Sequence, residues 1–489
     1  MFRERKRYIE FGTLVAALEL RFDFESEEEA SEATLTVDGT VVPEPGVLGN
    51  VMVWRPPEQL AEGDHTIEVA VPRPVFGEST HTWRFTVDGT PPALEVPTAV
   101  DPVGIDAEVE VSGTVEDGAE LTAGGDPIDV DDSGHFTLGF DRPPTGPIAL
   151  EATDRAGNRT TASVVVPVTY PGLRGVHATA AAWSNEVLRG GIIQLIDQGR
   201  IDAVVLDLKD DTGIVGYDSQ VARAREIGAV IPHYDLEAAV ATIEDRGARV
   251  VGRIAAFQDP MLAQAAWGSG QGEQVIQAGD GGLYDASGPF TNPANAAVRR
   301  YNLDLAIEAV RAGVDDILWD DARLPTGEPG ELSVPGLTTS ASDAVVGFLA
   351  EAHSELRSRG AYQGVSLVGE AADRGDTIGQ DVARVARNAD YVAPEIFPGY
   401  WSPGRHGVAD PRTQPGPFTA ALLARFQKAV EGTEIVLAPV LQDFEVQGVD
   451  YGDAEVRAMV DAARSRGVDR FMLWSPRVQY SAGRLDAAG

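Results

Sequence analysis

A chain of 489 residues, 43% of them hydrophobic, exceeds what one hydrophobic core usually organises and predicts two or three folded domains. The formal net charge of -37 argues against nucleic acid or an anionic membrane surface as a partner, because both need basic surface. No apolar run approaches the roughly 18 to 20 residues of a membrane span. With zero cysteines, disulfides, Cys-ligated metals and thiol nucleophiles are excluded.

The opening M-F-R-E-R-K-R-Y-I-E is charged, and the apolar run Leu14 to Leu18 behind it is too short, without a cleavage site, for a signal peptide. An extracellular or cell-surface protein would then have lost its leader or be exported by another route. Residues 10 to 168 alternate as strands with turn signals: A-T-L-T-V-D-G-T, H-T-I-E-V-A-V and H-T-W-R-F-T-V, then A-E-V-E-V-S-G-T and I-A-L-E-A-T-D. Asp38-Gly39 and Asp88-Gly89 are dipeptides of the hairpin type. The stiff V-D-G-T-P-P, Val87 to Pro92, divides this region into two strand-rich modules, 10–90 and 91–168. D-G-T-P-P and A-T-D-R-A-G-N resemble bacterial immunoglobulin-like domains, a likeness that implies two β-sandwiches serving as spacer or binding modules outside the cell.

From Pro171 the texture changes to strand, loop, helix, strand. Eight apolar runs qualify as parallel strands: 175–180, 203–209, 249–257, 315–321, 364–370, 390–397, 434–444 and 469–476. Eight is the number that closes a (β/α)8 TIM barrel, expected over 172–489, and near-continuous apolar runs suit strands covered on both faces. Leu236, Ala239, Val240 and Ile243 form one helical stripe, stopped by Gly247; Val298, Tyr301, Leu305 and Ala309 form another, ending at Gly313. After the eighth strand only S-A-G-R-L-D-A-A-G remains, too short for an eighth helix. The second sandwich, or the chain just before Gly172, is expected to cover that side.

Such barrels carry their chemistry at the C-terminal ends of the strands. In V-D-D-I-L-W-D-D-A-R-L-P, Val314 to Pro325, a period of two puts Asp316, Leu318 and Asp320 on one face and Ile317, Trp319 and Asp321 on the other. The same parity predicts a mouth-facing set of Asp207, Lys209, Arg253, Asp320, Glu395 and Asp443. Buried carboxylates are costly unless paired or used, and several converging on one mouth suit acid/base or glycosyl-transfer chemistry. Hydrolysis of a sugar acetal needs two carboxyl groups. Asp320 is the expected nucleophile or stabiliser and Glu395 the expected proton donor, since its apolar flank would raise its pKa. Glu395 could instead pair with Arg323 or Arg253, and Glu370 and Asp207 stand in reserve. Lys209, Arg253, Arg323, Asp443 and His177 are candidate substrate contacts, joined by the aromatic rings of Tyr400, Trp401 and Trp474, because sugar CH faces stack on rings. Trp319 is expected to pack against helices. No phosphate-binding Gly-rich loop and no metal-binding His pair at helix spacing stands out, so neither cofactor nor metal is expected.

Six blocks in order, V-V-L-D-L-K-D-D-T-G, R-I-A-A-F-Q-D-P, I-L-W-D-D-A-R-L-P, D-Y-V-A-P-E-I-F-P, L-Q-D-F and L-W-S-P, resemble the bacterial "putative glycosyl hydrolase" barrel domain, distantly similar to α-amylase-like glycosidases. The resemblance covers roughly 172–480 and implies a TIM barrel acting on a polysaccharide, with Asp320 as the leading catalytic position. It departs from the family pattern at Asp321, where an aromatic is usual, and in the fifth-strand block, where Glu370 stands about two positions from the family acid. The expectation is a glycoside hydrolase. Its rivals are a carbohydrate-binding scaffold whose barrel has lost catalysis, and a barrel deacetylase or lyase.

Overall fold

The computed structural model describes residues 20–73, 77–286, 288–326, 331–446 and 448–485. The charged opening, the apolar run Leu14 to Leu18 and the start of the first expected sandwich lie outside these residues. Two compact units divide the chain: Met1–Asp101, Glu108–Phe140 and Gly146–Pro167 form one, and Pro102–Ala107, Asp141–Thr145 and Val168–Gly489 the other.

The first unit is built of antiparallel sheets. Toward its start, one sheet runs in the order Thr40–Val41, Thr34–Val37, Gly63–Pro72, Glu78–Val87, and another in the order Leu20–Asp23, Val51–Trp54, Gly46–Leu48. Leu35, Ile67 and Val69 from the first sheet and Met52 and Trp54 from the second share one buried cluster. Later in the unit come the orders Asp126–Pro127, Glu120–Ala123, Ile148–Thr153, Arg159–Val164 and His135–Phe140, Val109–Val115, Leu94–Glu95. Asp38 and Gly39 both take positive φ, as a two-residue hairpin turn requires. Asp88-Gly89 does not behave this way: Gly89 lacks positive φ, and the chain runs on unpaired to Leu94 instead of folding back.

In the second unit eight parallel strands close on themselves: β1 (Arg174–Ala178), β2 (Ala203–Lys209), β3 (Arg249–Ala255), β4 (Asp316–Asp320), β5 (Tyr362–Leu367), β6 (Tyr391–Ile396), β7 (Val440–Gln442) and β8 (Phe471–Trp474). β1 pairs with both β2 and β8, and that double pairing shuts the sheet. A short piece, Val436–Leu437, precedes β7 and pairs with β6. Outside stand α1 (Glu186–Asp197), α2 (Leu236–Glu244), α3 (Ala296–Arg311), α4 (Ala341–Arg357), α5 (Val382–Ala386), α6 (Pro415–Ala429) and α7 (Asp453–Ser465). Leu236, Ala239, Val240 and Ile243 bury the face that α2 turns to the sheet, and Gly313, with a φ of 98°, turns the chain out of α3 toward β4.

Inside the barrel, alternate strand residues stack in layers. Val205, Val251, Leu318, Ala393, Val440 and Met472 fill the middle. Below them Asp316 is buried between Arg249 and Tyr170, whose hydroxyl donates to it at 2.8 Å. The ring of Tyr391 fits there only because β5 carries Gly364: a Cβ at that position would lie 2.1 Å from the ring. Trp319 packs outward, edge-on to Phe348 of α4.

Among the described residues no α-helix follows β8, only a single 3-10 turn, Ala482–Arg484. Val478 and Leu485 are buried in the cluster between sheet and helices, with Tyr480 packed against it. Arg484 and Ser481 hold the start of α7 through Asp453, and Arg200, just past α1, donates to the Leu485 carbonyl. The terminal segment itself therefore closes the gap between α7 and α1, where cover by the second sandwich or by the chain before Gly172 was expected.

Candidate functional site

The C-terminal ends of the strands surround a cavity of about 210 Å3 lined by polar side chains from five strands or the turns that follow them. Walking round it, His177 at the end of β1 contacts Asp207 of β2 through Nε2 at 2.9 Å. Arg253 of β3 lies between two acids: Nη1 donates to Asp207 Oδ1 at 2.7 Å, and Nε and Nη2 both reach Asp320 Oδ2 of β4 at 2.6 Å. On β5, Ser366 Oγ sits 2.9 Å from Glu395 Oε1 of β6. Trp474 of β8 completes the wall, stacked on His177 with ring centroids 5.8 Å apart.

The electrostatics divide the acids. Burial pushes the Asp207 carboxyl up, but His177 and Arg253 outweigh it and hold the group at about 2. The same contest at Asp320 ends the same way: burial opposes, while the Arg253 fork, the Asp321 N–H and the Ser366 hydroxyl hold the carboxyl below its ordinary range. Glu395 has no such partner. Burial first, then the negative charges of Asp320 and Asp321, push it up to about 8, against a weaker pull from Ser366 and Arg323. At neutral pH the mouth thus holds an ionised Asp320 beside a protonated Glu395, two carboxyls driven apart as acid/base assignments require.

Asp321, read from parity as facing the helices, lines the mouth. Its φ of 45° turns the chain as β4 ends, so alternation no longer applies. Burial raises its carboxyl to about 6 despite Arg323, which contacts it at 2.7 Å. Arg323 therefore serves Asp321 rather than forming an ion pair with Glu395, although it lines the same cavity. Gln258 and Ser366 also line it and were not singled out beforehand. Parity along β5 from Tyr362 through Gly364 points to Ser366; Asp321 and Gln258 lie beyond strand ends, where no period applies.

Four expected site residues lie elsewhere. Lys209 faces the helical shell, fully buried, with Nζ 2.7 Å from both Asp259 and Asn302 of α3. The cause is a bulge between Asp207 and Lys209, which inverts the alternation at the end of β2. Glu370 lies three residues past the end of β5, half exposed and paired with Arg374 in a short helical turn. Asp443 points away from the lumen, because the lumen-facing residues here are Val436, Ala438 and Val440; it pairs with Arg484. Trp401 packs against Phe418 of α6 and His406, filling a small core of its own. Tyr400 remains at the rim, 65% exposed, its ring near Phe397 and Phe444.

Lys209→Met separates the structural role from substrate contact. It strands the buried Asp259 carboxylate, so a loss of about 3–5 kcal/mol in stability is expected, with kcat of the surviving folded protein unchanged. Denaturant unfolding and turnover at a temperature where the variant is folded check both halves.

A closed eight-stranded barrel with an acidic, aromatic-edged mouth at its C-terminal rim defines this as a (β/α)8 protein of the kind that works at strand ends. More particularly, the chain belongs to the family described as "Putative glycosyl hydrolase domain", which matches residues 175–480. Among solved structures it is similar to the PgaB (BpsB) glycoside hydrolase domain from Bordetella bronchiseptica, at 14% identity and a TM-score of 0.48, covering 63% of this chain and 95% of that one. It is also similar to the endo-1,4-beta-D-mannanase of Thermotoga petrophila, at 12% identity and a TM-score of 0.41, covering 62% and 88%. A third similar structure is the Group IV chitinase of Ostrinia furnacalis, at 10% identity and a TM-score of 0.41, covering 64% and 97%. No curated protein matches the chain.

Proposed function

We propose that the chain is a glycoside hydrolase that cleaves a polysaccharide with two carboxyl groups, Glu395 as proton donor and Asp320 as nucleophile. The observation that carries this reading is the opposed ionisation of the two groups across one cavity, with the proton kept on Glu395 and the charge kept on Asp320. In the first step Glu395 gives its proton to the glycosidic oxygen as the bond from that oxygen to the anomeric carbon breaks, and an Asp320 oxygen bonds to the anomeric carbon. In the second, water attacks that carbon, its proton passes to the Glu395 carboxylate, and the ester to Asp320 breaks. Both steps return the enzyme to its starting charge.

Glu395 hydrogen-bonds the Ser366 hydroxyl, and Asp320 lies near enough for its charge to raise Glu395 and for the same hydroxyl to lower Asp320. That closeness favours the roughly 5–5.5 Å separation of retaining enzymes over the roughly 6.5–9.5 Å that leaves room for an attacking water. Retention of anomeric configuration is the expected outcome. Trp474 supplies a ring for a sugar face at the cavity wall, and Tyr400 another at the rim. An extracellular or cell-surface setting is proposed with this activity, resting on the likeness of the strand-rich N-terminal region to immunoglobulin-like spacers.

The test is a screen of the purified chain against α- and β-linked polysaccharides, with the anomer of the first product read by NMR. Turnover that disappears in Asp320→Asn while ligand binding persists supports the reading. A scaffold would bind with no turnover to lose, and activity abolished by a chelator would point to metal-dependent deacetylation instead.

A further inference from the structure

Beside the barrel mouth lies a second cavity, of about 560 Å3, between α1, the chain after β7 and the terminal segment after β8. Its walls include Leu188 and Gly191 of α1, Phe444 after β7, and Tyr480 and Arg484 of the terminal segment, with Asp443 at its base. The volume falls within the roughly 300–1,000 Å3 of small-molecule sites, whereas the mouth alone is smaller than that range. Only an aromatic wall separates the two: Phe444 lines the groove, Trp474 lines the mouth, and their rings meet edge to face at 5.1 Å. The Tyr480 hydroxyl ties this side of the groove to the mouth by donating to the His177 carbonyl at 2.7 Å.

Three features mark the groove as built to hold something. The Asp443 side chain is fully buried, yet only Oδ1 is paired, with Arg484; Oδ2 has no partner. An orphaned buried acceptor costs on the order of 1–3 kcal/mol unless something fills it. Second, α1 carries two successive glycines, Gly190 and Gly191, each of which weakens a helix by roughly 1 kcal/mol relative to alanine. Close packing does not call for them, since a Cβ at either would meet nothing within 4 Å; at Gly191 the missing side chain leaves the wall of the groove open. Third, Arg484, whose side chain is partly exposed, lines the groove and is held by both Asp443 and Asp453, so its guanidinium is fixed in place.

We propose that this groove is a second sugar subsite, which takes a unit of the same polysaccharide chain beyond the Phe444–Trp474 wall and hydrogen-bonds its hydroxyls through Arg484, which Asp443 holds from beneath the groove. The proposal rests on the glycoside hydrolase reading for the identity of its ligand. It is tested by isothermal titration calorimetry of the Glu395→Gln chain with cellohexaose, mannohexaose and chitohexaose and with their disaccharides. At least one hexaose is expected to bind about ten-fold more tightly than its disaccharide. Asp443→Leu should abolish that length advantage and leave disaccharide binding intact. Because this substitution takes away one of the two carboxylates that hold Arg484, the other being Asp453, Gly191→Trp provides an independent check: it fills the groove from the opposite wall and should have the same effect. Equal affinity for long and short ligands, no binding of any hexaose, or a length advantage that survives Gly191→Trp would each overturn the proposal. Length-dependent binding lost in both variants, in a chain that hydrolyses nothing in the screen, would sink the hydrolase and keep the groove; hydrolysis indifferent to both variants would do the reverse.

Discussion

Glu395→Gln is expected to lower kcat on a polysaccharide by about 10²–10⁴-fold, the contribution typical of a positioned general acid, with KM little changed. Burial and the neighbouring Asp320 and Asp321 charges keep Glu395 protonated up to about pH 8, and glutamine keeps its shape and its contact with Ser366 but has no acidic proton to give. The wild-type rate should therefore fall as pH rises through about 8, where Glu395 ionises, and hold on the acid side until Asp320 is protonated below the ordinary carboxylate range. The variant should lose the alkaline limb altogether. A substrate with an activated aryl leaving group, which departs without a proton, should be far less affected in its first step. A variant with the wild-type alkaline limb and rate would remove Glu395 from the reaction and leave Asp321, raised to about 6, as the acid to examine.

Much of this site was legible because strand alternation is a hard geometric constraint. Asp207, Arg253, Asp320 and Glu395 lie far apart in sequence, yet each stands in phase with lumen-facing apolar residues on its own strand: Val205, Val251, Leu318 and Ala393. Parity fails where the backbone departs from an ideal strand. The bulge at Asp207/Lys209 turned a mouth lysine into a shell lysine, and the left-handed turn at Asp321 did the opposite. Asp443 was misplaced for another reason. A strand covered on both faces is apolar at every position, so residues 434–444 carry no internal mark of which parity is inward, and a one-residue slip exchanges the faces. Trp401 looked free in a Gly/Pro-rich loop because its core, Phe418 and His406, is assembled from segments that sequence spacing does not connect.

Arg253→Met should be the most damaging single change at the mouth. The guanidinium is nearly inaccessible and makes ion pairs with both Asp207 and Asp320, so removing it leaves two buried carboxylates without their common partner. Breaking one buried pair in this way typically destabilises by about 3–5 kcal/mol. Asp207 keeps His177, but Asp320 loses the cation that holds it low and takes up a proton more readily, so the ionised form the reaction needs at neutral pH is lost. The acid limb of the rate profile should move upward toward the alkaline limb of Glu395, narrowing the active range as kcat falls. Arg253→Lys tests the geometry: an ammonium restores a charge but not the planar fork that reaches both acids, so it should recover part of the stability and little of the turnover. Adding Asp207→Asn to Arg253→Met removes one stranded carboxylate and should restore stability without restoring activity, because Asp320 still lacks its counter-charge. That split between unfolding free energy and pH–rate profile is what a merely structural arginine would not produce: such a residue would let activity return together with the fold.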